Sequence, residues 1–67
     1  MNIISIRLKE LRTQNGLTQS QLATVIGVTQ SSIAKWENGK NNPAVKYIIL
    51  LSKFYRKKVD FLVGLKD

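Results

Sequence analysis

The stretch from Thr18 to Gly39, TQSQLATVIGVTQSSIAKWENG, contains two short helical patterns separated by a glycine. Thr18 and Gln21 have the spacing of a capping box, in which the threonine side chain accepts a hydrogen bond at the helix start and the glutamine side chain reaches back to the cap. The first helix is then expected to run to Ile26 and to end at Gly27. The stretch therefore predicts two short helices that are joined by a tight turn.

The second helix of this stretch has distinct inner and outer faces. Thr29 can cap it, and we expect it to run from Gln30 to about Asn38. Counting from Gln30, the 3.6-residue period turns Ile33 and Trp36 toward the interior. The outer face carries small, uncharged or basic residues: Gln30, Ser31, Ala34, Lys35 and Asn38. A polar outer face is also typical of any solvent-exposed amphipathic helix, so the pattern alone leaves both interpretations open.

Three further helices follow from the positions of caps, glycines and proline. Asn2 can cap a first helix that ends before Gly16, and a fourth helix is expected to begin at Pro43. Val59 to Val63 reads as a last short turn. The fourth helix should turn one stripe toward the core, formed by Val45, Ile48, Leu51, Ser52 and Tyr55. Because no useful period-2 alternation occurs, the sequence predicts an all-α fold, a compact bundle of five short helices forming a single domain over residues 1–67.

The charge of the chain indicates a partner that is negatively charged. Its 67 residues include 11 Lys and Arg against four Asp and Glu, for a formal charge of +7. Between Thr13 and Val59 the only acidic residue is Glu37. Nucleic acid is a natural partner of such a chain, although a solvated basic surface has the same composition.

The residue types on which most catalytic and metal sites depend are missing. The sequence has no Cys and no His, and no glycine-rich phosphate loop follows a strand. We therefore expect no enzyme, no metal and no cofactor. The N-terminal segment lacks a signal-peptide core and the longest apolar run, YIILL, is too short to cross a bilayer, so a soluble cytoplasmic protein without a membrane partner is expected.

The outer face of the third helix has the chemistry that reads DNA bases. A major groove admits a helix of this width, and glutamine can bond adenine N6 and N7 together. Lysine can donate to guanine O6 and N7, and serine can bond to either base. Ala34 and the methyl group of Thr29 could contact a thymine methyl group.

Gln19 to Trp36 resembles the helix-turn-helix of the Cro/CI phage-repressor family, also called the xenobiotic-response-element family. The segments GLTQSQLA and IAKWENGKNNP are especially similar, and the likeness extends from Ile4 to Gly64. The resemblance implies a lambda-repressor-like fold in which helices 2 and 3, from Gln19 to Asn38, form the helix-turn-helix. It also implies a double-stranded DNA operator as the partner.

One segment departs from the family's pattern. Where the family usually has a glycine before the last helix, this chain has YRKKV, from Tyr55 to Val59. Arg56 or Lys57 must then adopt the left-handed conformation, or the fourth helix continues. The cluster Arg56, Lys57 and Lys58 could reach distal phosphates or could be a solvated run of charge.

The resemblance also implies a role for individual residues. The positions that match the family's base-reading residues and their flanks are Thr29, Gln30, Ser31, Ala34 and Lys35. The positions that match contacts to the DNA backbone are Thr18, Gln19, Asn38, Lys40, Asn41 and Asn42. Arg12 and Glu37 match an internal ion pair between the first and third helices, which would explain why the single acid of the region does not face DNA.

A second apolar row on the fourth helix predicts an interface. Tyr47, Leu50 and Phe54 lie at helical spacing, and Phe61 is a candidate to extend the row. A monomer would expose this row to water, so we expect a homodimer through the fourth and fifth helices. The alternative is that the row packs on the protein's own tail or on a different partner.

These observations favour a sequence-specific, double-stranded-DNA-binding transcriptional regulator, a repressor that occupies a two-fold symmetric operator. The alternative function is a protein-interaction module of the same fold, an antitoxin or anti-regulator with secondary DNA binding. A protein antagonist is a further possible partner. A membrane-surface role for VKYIILLSKFYRKK is disfavoured because the core needs the apolar residues of that helix.

Overall fold

The computed structural model describes residues 2–65 and confirms the all-α prediction. Its elements are α1 (Ile3–Gln14), α2 (Gln19–Ile26), α3 (Gln30–Glu37), α4 (Val45–Tyr55) and α5 (Val59–Leu62). Within residues 2–65 there is no strand. The helix-turn-helix formed by α2 and α3 lies where the sequence predicted it.

Three of the helices begin with the side-chain caps that the sequence predicted. The Asn2 side chain accepts from the backbone N–H of Ser5 at 2.9 Å, which caps α1. At α2 the capping box is complete, because Thr18 accepts from the Gln21 backbone while the Gln21 side chain accepts from the Thr18 backbone. These caps satisfy backbone donors that have no partner within the helix, and they fix where each helix begins.

A single hydrophobic core joins all five helices. Its buried residues are Leu8, Leu11, Leu22, Ala23, Ile26, Ile33, Trp36, Leu51, Tyr55 and Leu62. Val28, in the turn between α2 and α3, packs partly buried against this core. The backbone turns at Gly27, where φ is 85°, a conformation that glycine adopts without steric cost. The helix-turn-helix therefore packs against the other three helices through this core.

The two ends of the described chain meet where α1 packs against the turn after α5. Gly64 has φ of 84°, and a Cβ atom at this position would collide with the side chain of Ile3. Only glycine allows this close approach together with the left-handed backbone. The start of α1 is therefore packed against the turn that follows α5.

The predicted start of α4 and one of its core positions were wrong. The helix begins at Val45, because Ala44 has an extended backbone with ψ of 158° and serves as the N-cap residue. Pro43 lies buried in the connection before the helix and does not occupy its first turn. Val45 is therefore at the open end of the helix and 71% exposed, whereas Leu51 and Tyr55 of the same predicted stripe are buried.

Arg56 adopts the left-handed conformation that the missing glycine required. Its φ is 55° and its ψ is 43°, and it is the C-cap residue of α4. The turn is closed by the backbone N–H of Lys57, which donates to the Ser52 carbonyl at 3.0 Å. The Ser52 hydroxyl in turn donates to the Lys57 carbonyl. The fourth helix thus ends at Tyr55 and does not continue.

Candidate nucleic-acid interface

The structure places the five predicted base-reading residues together on α3 and at its cap. Gln30, Ser31 and Lys35 are exposed, and Ala34 is partly exposed beside them. On the opposite side of the helix, Ile33 is only 1% exposed. The remaining predicted residue, Thr29, is exposed and caps the helix by accepting from the Ser32 backbone. The core therefore fixes the inner face of α3 and leaves its outer face exposed.

A buried ion pair connects α1 to the end of α3. The Nε atom of Arg12 lies 2.7 Å from Oε2 of Glu37, and the Nη2 atom of Arg12 lies 3.0 Å from Oε1. Glu37 is 4% exposed, so the carboxylate is held inside and away from the outer face. Arg12 also donates through Nη1 to the Leu17 carbonyl at 2.7 Å, just before α2. The hydrogen bond to Glu37 is the main cause that raises the pKa of Arg12, so the guanidinium remains charged.

Gln19 connects this ion pair to Gln30, the first residue of α3. Its Nε2 atom donates to Oε1 of Glu37 at 3.2 Å. Its Oε1 atom accepts from Nε2 of Gln30 at 2.6 Å. The sequence did not predict these contacts, although it assigned Gln19 to phosphate and Gln30 to bases. The only available signal was that Gln19 and Gln30 are the first residues of two helices that meet at a tight turn.

The other residues predicted to contact phosphate lie at the start of α2 and in the connection after α3. Lys40 and Asn41 are exposed, and the Asn38 side chain accepts from the Lys40 backbone at 2.9 Å. Asn42 accepts through Oδ1 from the Asn2 amide at 3.0 Å, so the cap of α1 steadies this connection. The Thr18 hydroxyl is occupied in the capping box of α2. The two groups therefore flank the helix-turn-helix, one at each end.

The surface of the helix-turn-helix carries no exposed acid. Between Thr13 and Val59 the sole carboxylate belongs to Glu37, which is buried and paired with Arg12. On the outer face of α3 the exposed side chains are the uncharged Gln30 and Ser31 and the basic Lys35. Such a surface attracts a polyanion and does not repel phosphate at any point along α2 and α3.

The predicted apolar row on α4 divides into two parts. Leu50 and Phe54 are 43% and 42% exposed. Tyr47 instead packs on the core, with its ring centroid 5.5 Å from that of Trp36. Phe61 also packs on the core, and the guanidinium carbon of Arg7 lies 4.1 Å from its ring centroid. The expectation that one chain exposes the whole row was therefore wrong for Tyr47 and Phe61, because the core of the same chain partly covers them.

Tyr55 lies buried close enough to the ion pair to sense its charges. Burial is the main cause that raises the pKa of Tyr55 to about 12, the negative charge of Glu37 raises it further, and the positive charge of Arg12 opposes the shift. The hydroxyl is buried and has no hydrogen-bond partner among residues 2–65. At neutral pH the tyrosine is therefore protonated and contributes packing without a balancing hydrogen bond.

Within the part of the chain that the structure describes, no cluster of acidic side chains could hold a metal ion. The same residues include no helix with the length and apolar character needed to span a bilayer.

Comparison with known proteins identifies relatives along almost the whole chain. A family model described as helix-turn-helix matches residues 8–62. The chain is 40% identical over 58 residues to the HTH-type transcriptional activator BcrR of Enterococcus faecalis, covering 87% of this chain but only 28% of that protein. It is 35% identical over 61 residues to an uncharacterized HTH-type transcriptional regulator of Methanocaldococcus jannaschii, covering 91% of this chain and 92% of the relative.

A solved structure has the same fold. The P22 c2 repressor protein in complex with a synthetic operator superimposes with a TM-score of 0.88 and covers 98% of this chain and 100% of its own. The two sequences are 23% identical. At this level of identity the likeness establishes the arrangement of the helices, and the predicted lambda-repressor-like fold is confirmed.

Proposed function

Since this chain belongs to the Cro/CI type of the helix-turn-helix family, we propose that it is a sequence-specific, double-stranded-DNA-binding transcriptional regulator that represses by occupying an operator. The observation that carries the proposal is the outer face of α3. Gln30, Ser31 and Lys35 are exposed together there, while Glu37, the only acid of the region, is buried. Regulation by occupancy requires binding and no catalysis, and it places the protein with the DNA in the cytoplasm.

In this proposal α3 enters the major groove and its outer face selects the sequence. Gln30 pairs with adenine, Lys35 donates to guanine, and Ser31 bonds to a neighbouring base. Thr29 and Ala34 lie against thymine methyl groups at the edges of the contact. The rigid inner face supports this role, because base edges are discriminated only when the side chains that read them start from a fixed backbone.

Contacts to the DNA backbone set the register in which α3 enters the groove. Residues on both sides of the helix-turn-helix supply them: Thr18, Gln19, Asn38, Lys40, Asn41 and Asn42. The start of α2 favours an anion, because the positive end of the helix dipole and the first backbone N–H groups of the helix lie there. Such contacts contribute affinity for every sequence and carry no information about bases.

We further propose that the protein binds as a homodimer to a two-fold symmetric operator. Leu50 and Phe54 supply the exposed apolar contact on α4, and Tyr47 and Phe61 belong to the proposed interface although the core of the same chain partly covers their rings. A two-fold dimer of helix-turn-helix domains reads half-sites whose centres lie about 10 base pairs apart. Covering Leu50 and Phe54 would remove apolar surface that is costly to leave in water.

Binding-site selection from a randomised duplex pool tests the proposal, followed by titration of the selected DNA across a salt series. We expect a two-fold repeat with half-site centres about 10 base pairs apart, bound well above scrambled DNA. Absence of any enriched sequence, with all affinity lost as salt rises, would contradict sequence-specific regulation.

Matched substitutions separate the two kinds of contact. Gln30→Ala and Lys35→Ala should each relax preference at one position of the half-site, at a cost of about 1–3 kcal/mol. Lys40→Ala should weaken binding to all duplexes and lower the salt slope by about one unit. A uniform loss with all three variants would show that α3 does not read bases.

The alternative function, a protein-interaction module such as an antitoxin or an anti-regulator, is supported by the same exposed Leu50 and Phe54. A protein antagonist could also act there by competing with the homodimer. A reporter gene placed behind the selected operator distinguishes these outcomes. Repression by the wild-type chain that is lost in Gln30→Ala supports the regulator, whereas an unchanged or activated reporter contradicts repression.

A further inference from the structure

We propose that the peptide between Asn38 and Gly39, where α3 ends, is a site of spontaneous deamidation that weakens DNA binding. The chain contains two Asn-Gly sequences, one at Asn15 and one at Asn38. The hydrogen bonds of the folded protein block the reaction at the first site and leave it open at the second. The chemical part of this inference needs no DNA, whereas its effect on binding rests on the proposed function.

The reaction joins the side-chain amide to the next peptide nitrogen. The Gly39 nitrogen gives its proton to a base in the solvent and attacks Cγ of Asn38. A new C–N bond closes a five-membered imide, while Nδ2 takes up a proton and leaves as ammonia. Water then opens the imide at one of its two carbonyl groups, so an aspartate or an isoaspartate replaces the asparagine. Glycine favours the attack because it has no Cβ to obstruct the approach and its backbone rotates freely.

The two Asn-Gly sequences have nearly the same backbone geometry. Asn15 is the C-cap residue of α1 with φ of −91° and ψ of 6°, and Asn38 is the C-cap residue of α3 with φ of −94° and ψ of 1°. The glycines that follow, Gly16 and Gly39, have φ of 70° and 80°. Both asparagines are exposed. Backbone conformation and access to water therefore do not distinguish the two sites.

Hydrogen bonds hold both reacting groups at Asn15. Its Nδ2 atom donates to the Leu11 carbonyl at 2.7 Å, which turns the amide back along α1. The Gly16 N–H, which must lose its proton to become the nucleophile, donates to the Thr13 carbonyl at 3.0 Å. Both bonds have to break before the nitrogen can reach Cγ, so folding protects this asparagine.

Neither reacting nitrogen is held at Asn38. Among residues 2–65, no hydrogen bond is made by Nδ2 of Asn38 or by the Gly39 N–H. The amide oxygen instead accepts from the Lys40 N–H at 2.9 Å, and this donor is shared with the Lys35 carbonyl at 3.0 Å. The bond turns the Asn38 side chain toward the Gly39 peptide. It also stabilises the negative charge that develops on Oδ1 as the nitrogen attacks Cγ.

Deamidation changes the charge and the backbone of a segment that is proposed to contact DNA. Asn38 and Lys40 both belong to the proposed phosphate contacts. Either product carries a carboxylate, which repels phosphate, and the isoaspartate also adds one carbon atom to the main chain before Lys40. Contacts to phosphate carry no information about bases, so binding to every duplex should weaken alike.

Peptide mapping of the folded wild-type chain, aged in mildly alkaline buffer, tests the reaction. Trypsin cleaves after Lys and Arg, so Asn38 lies in the peptide WENGK and Asn15 in the separate peptide from Thr13 to Lys35. Digestion in heavy-oxygen water labels products that form after ageing, so these can be subtracted. The chain unfolded in guanidinium chloride gives the reference rate at each site. Relative to that reference, folding should protect Asn15 about tenfold more than Asn38, the effect of its two hydrogen bonds.

The inference is overturned if the folded protein yields no modified WENGK, or if folding protects Asn38 as much as Asn15 or more. This experiment contains no DNA, so it decides the chemical part even if site selection yields no operator and the proposed function fails.

The effect on binding is tested with the selected operator and a scrambled duplex. Asn38→Asp reproduces one product and should weaken both duplexes by about tenfold, because a carboxylate then faces phosphate. Asn15→Asp adds the same charge at the C-cap of α1, outside the proposed contacts, and is the matched control. The affinity of the wild type should fall on ageing in step with the modified fraction of WENGK, whereas that of Asn38→Ser, which has no amide, should not change on ageing. Equal affinities of Asn38→Asp and Asn15→Asp would overturn the effect on DNA and leave the proposed function standing.

Discussion

Tyr55 illustrates at the scale of one residue how packing can outweigh a lost hydrogen bond. Its ring fills the core, and its hydroxyl is buried without a partner among residues 2–65. Leaving such a donor unsatisfied costs about 1–3 kcal/mol. The buried hydroxyl of Tyr55 therefore lowers the free energy of unfolding, and a single substitution can remove this cost.

We expect Tyr55→Phe to raise the free energy of unfolding by about 1 kcal/mol, because it removes the buried hydroxyl and keeps the ring. Urea denaturation followed by tryptophan fluorescence measures the change. Tyr47→Phe is the control, since the Tyr47 ring also packs on the core but its hydroxyl is not among the buried groups without a partner. A loss of stability in Tyr55→Phe would show that the hydroxyl is hydrogen-bonded in solution.

The same hydroxyl makes stability depend on pH in the alkaline range. The pKa of Tyr55 rises from 10.0 to about 12 on folding, mainly because of burial. The unfolded chain therefore loses this proton at a lower pH than the folded chain does. The titration leaves the free energy of unfolding unchanged below pH 10 and lowers it as the pH rises from 10 to about 12. Over this pH range the free energy of unfolding of the wild type should decrease relative to that of Tyr55→Phe. A constant difference between pH 9 and pH 12 would contradict the raised pKa.

Individual positions on α3 were predictable, but their mutual contacts were not. The 3.6-residue period alone assigned Ile33 and Trp36 to the core, and both are buried. The bond between Gln19 and Gln30 depends on the distance between the starts of two helices, which periodicity does not specify. The division of the α4 row has the same origin, since Tyr47 is covered by Trp36 from another helix.

At the scale of elements, helix ends were predicted well where a side chain makes the cap. Asn2, Thr18 and Thr29 each accept from a backbone N–H as expected. The start of α4 was predicted wrongly because Ala44 provides no side-chain cap, and Pro43 is suited both to a first helical turn and to a buried connection. Where backbone conformation alone ends an element, several boundaries are consistent with one sequence.

The turn between α4 and α5 carries backbone strain that glycine would relieve. A non-glycine residue in the left-handed region costs about 1 kcal/mol, and Arg56 has φ of 55°. We expect Arg56→Gly to raise the free energy of unfolding by about 0.5–1 kcal/mol, measured by thermal denaturation. Lys58→Gly removes the same charge at a residue with φ of −66° and should give no gain. Equal changes in the two variants would assign the effect to charge.

At the scale of the whole molecule, the bundle separates a polar basic surface on α3 from exposed apolar side chains on α4. Composition predicted the charge, and helical periodicity predicted both surfaces. Sequence did not reveal which apolar residues the chain covers by itself. That distinction leaves Leu50 and Phe54 as the exposed contact of the proposed homodimer.

Phe54→Lys should convert the proposed dimer into a monomer, because it puts like charges into a two-fold contact. Sedimentation velocity at micromolar concentration measures the change, and circular dichroism should remain that of the wild type. Val45→Lys is the matched control, since Val45 is more exposed than Phe54 but lies outside the predicted row. A wild-type chain that remains monomeric at high micromolar concentration would rule out this interface.

The packing of Gly64 against Ile3 has a further consequence for engineering. Because the first and last helices meet there, the two ends of the described chain lie side by side. A linker of a few residues could join them into a circular backbone. Cyclisation would restrict the unfolded ensemble and stabilise the fold, while every helix kept its present neighbours. New termini could then be opened elsewhere, which makes the domain a candidate for circular permutation.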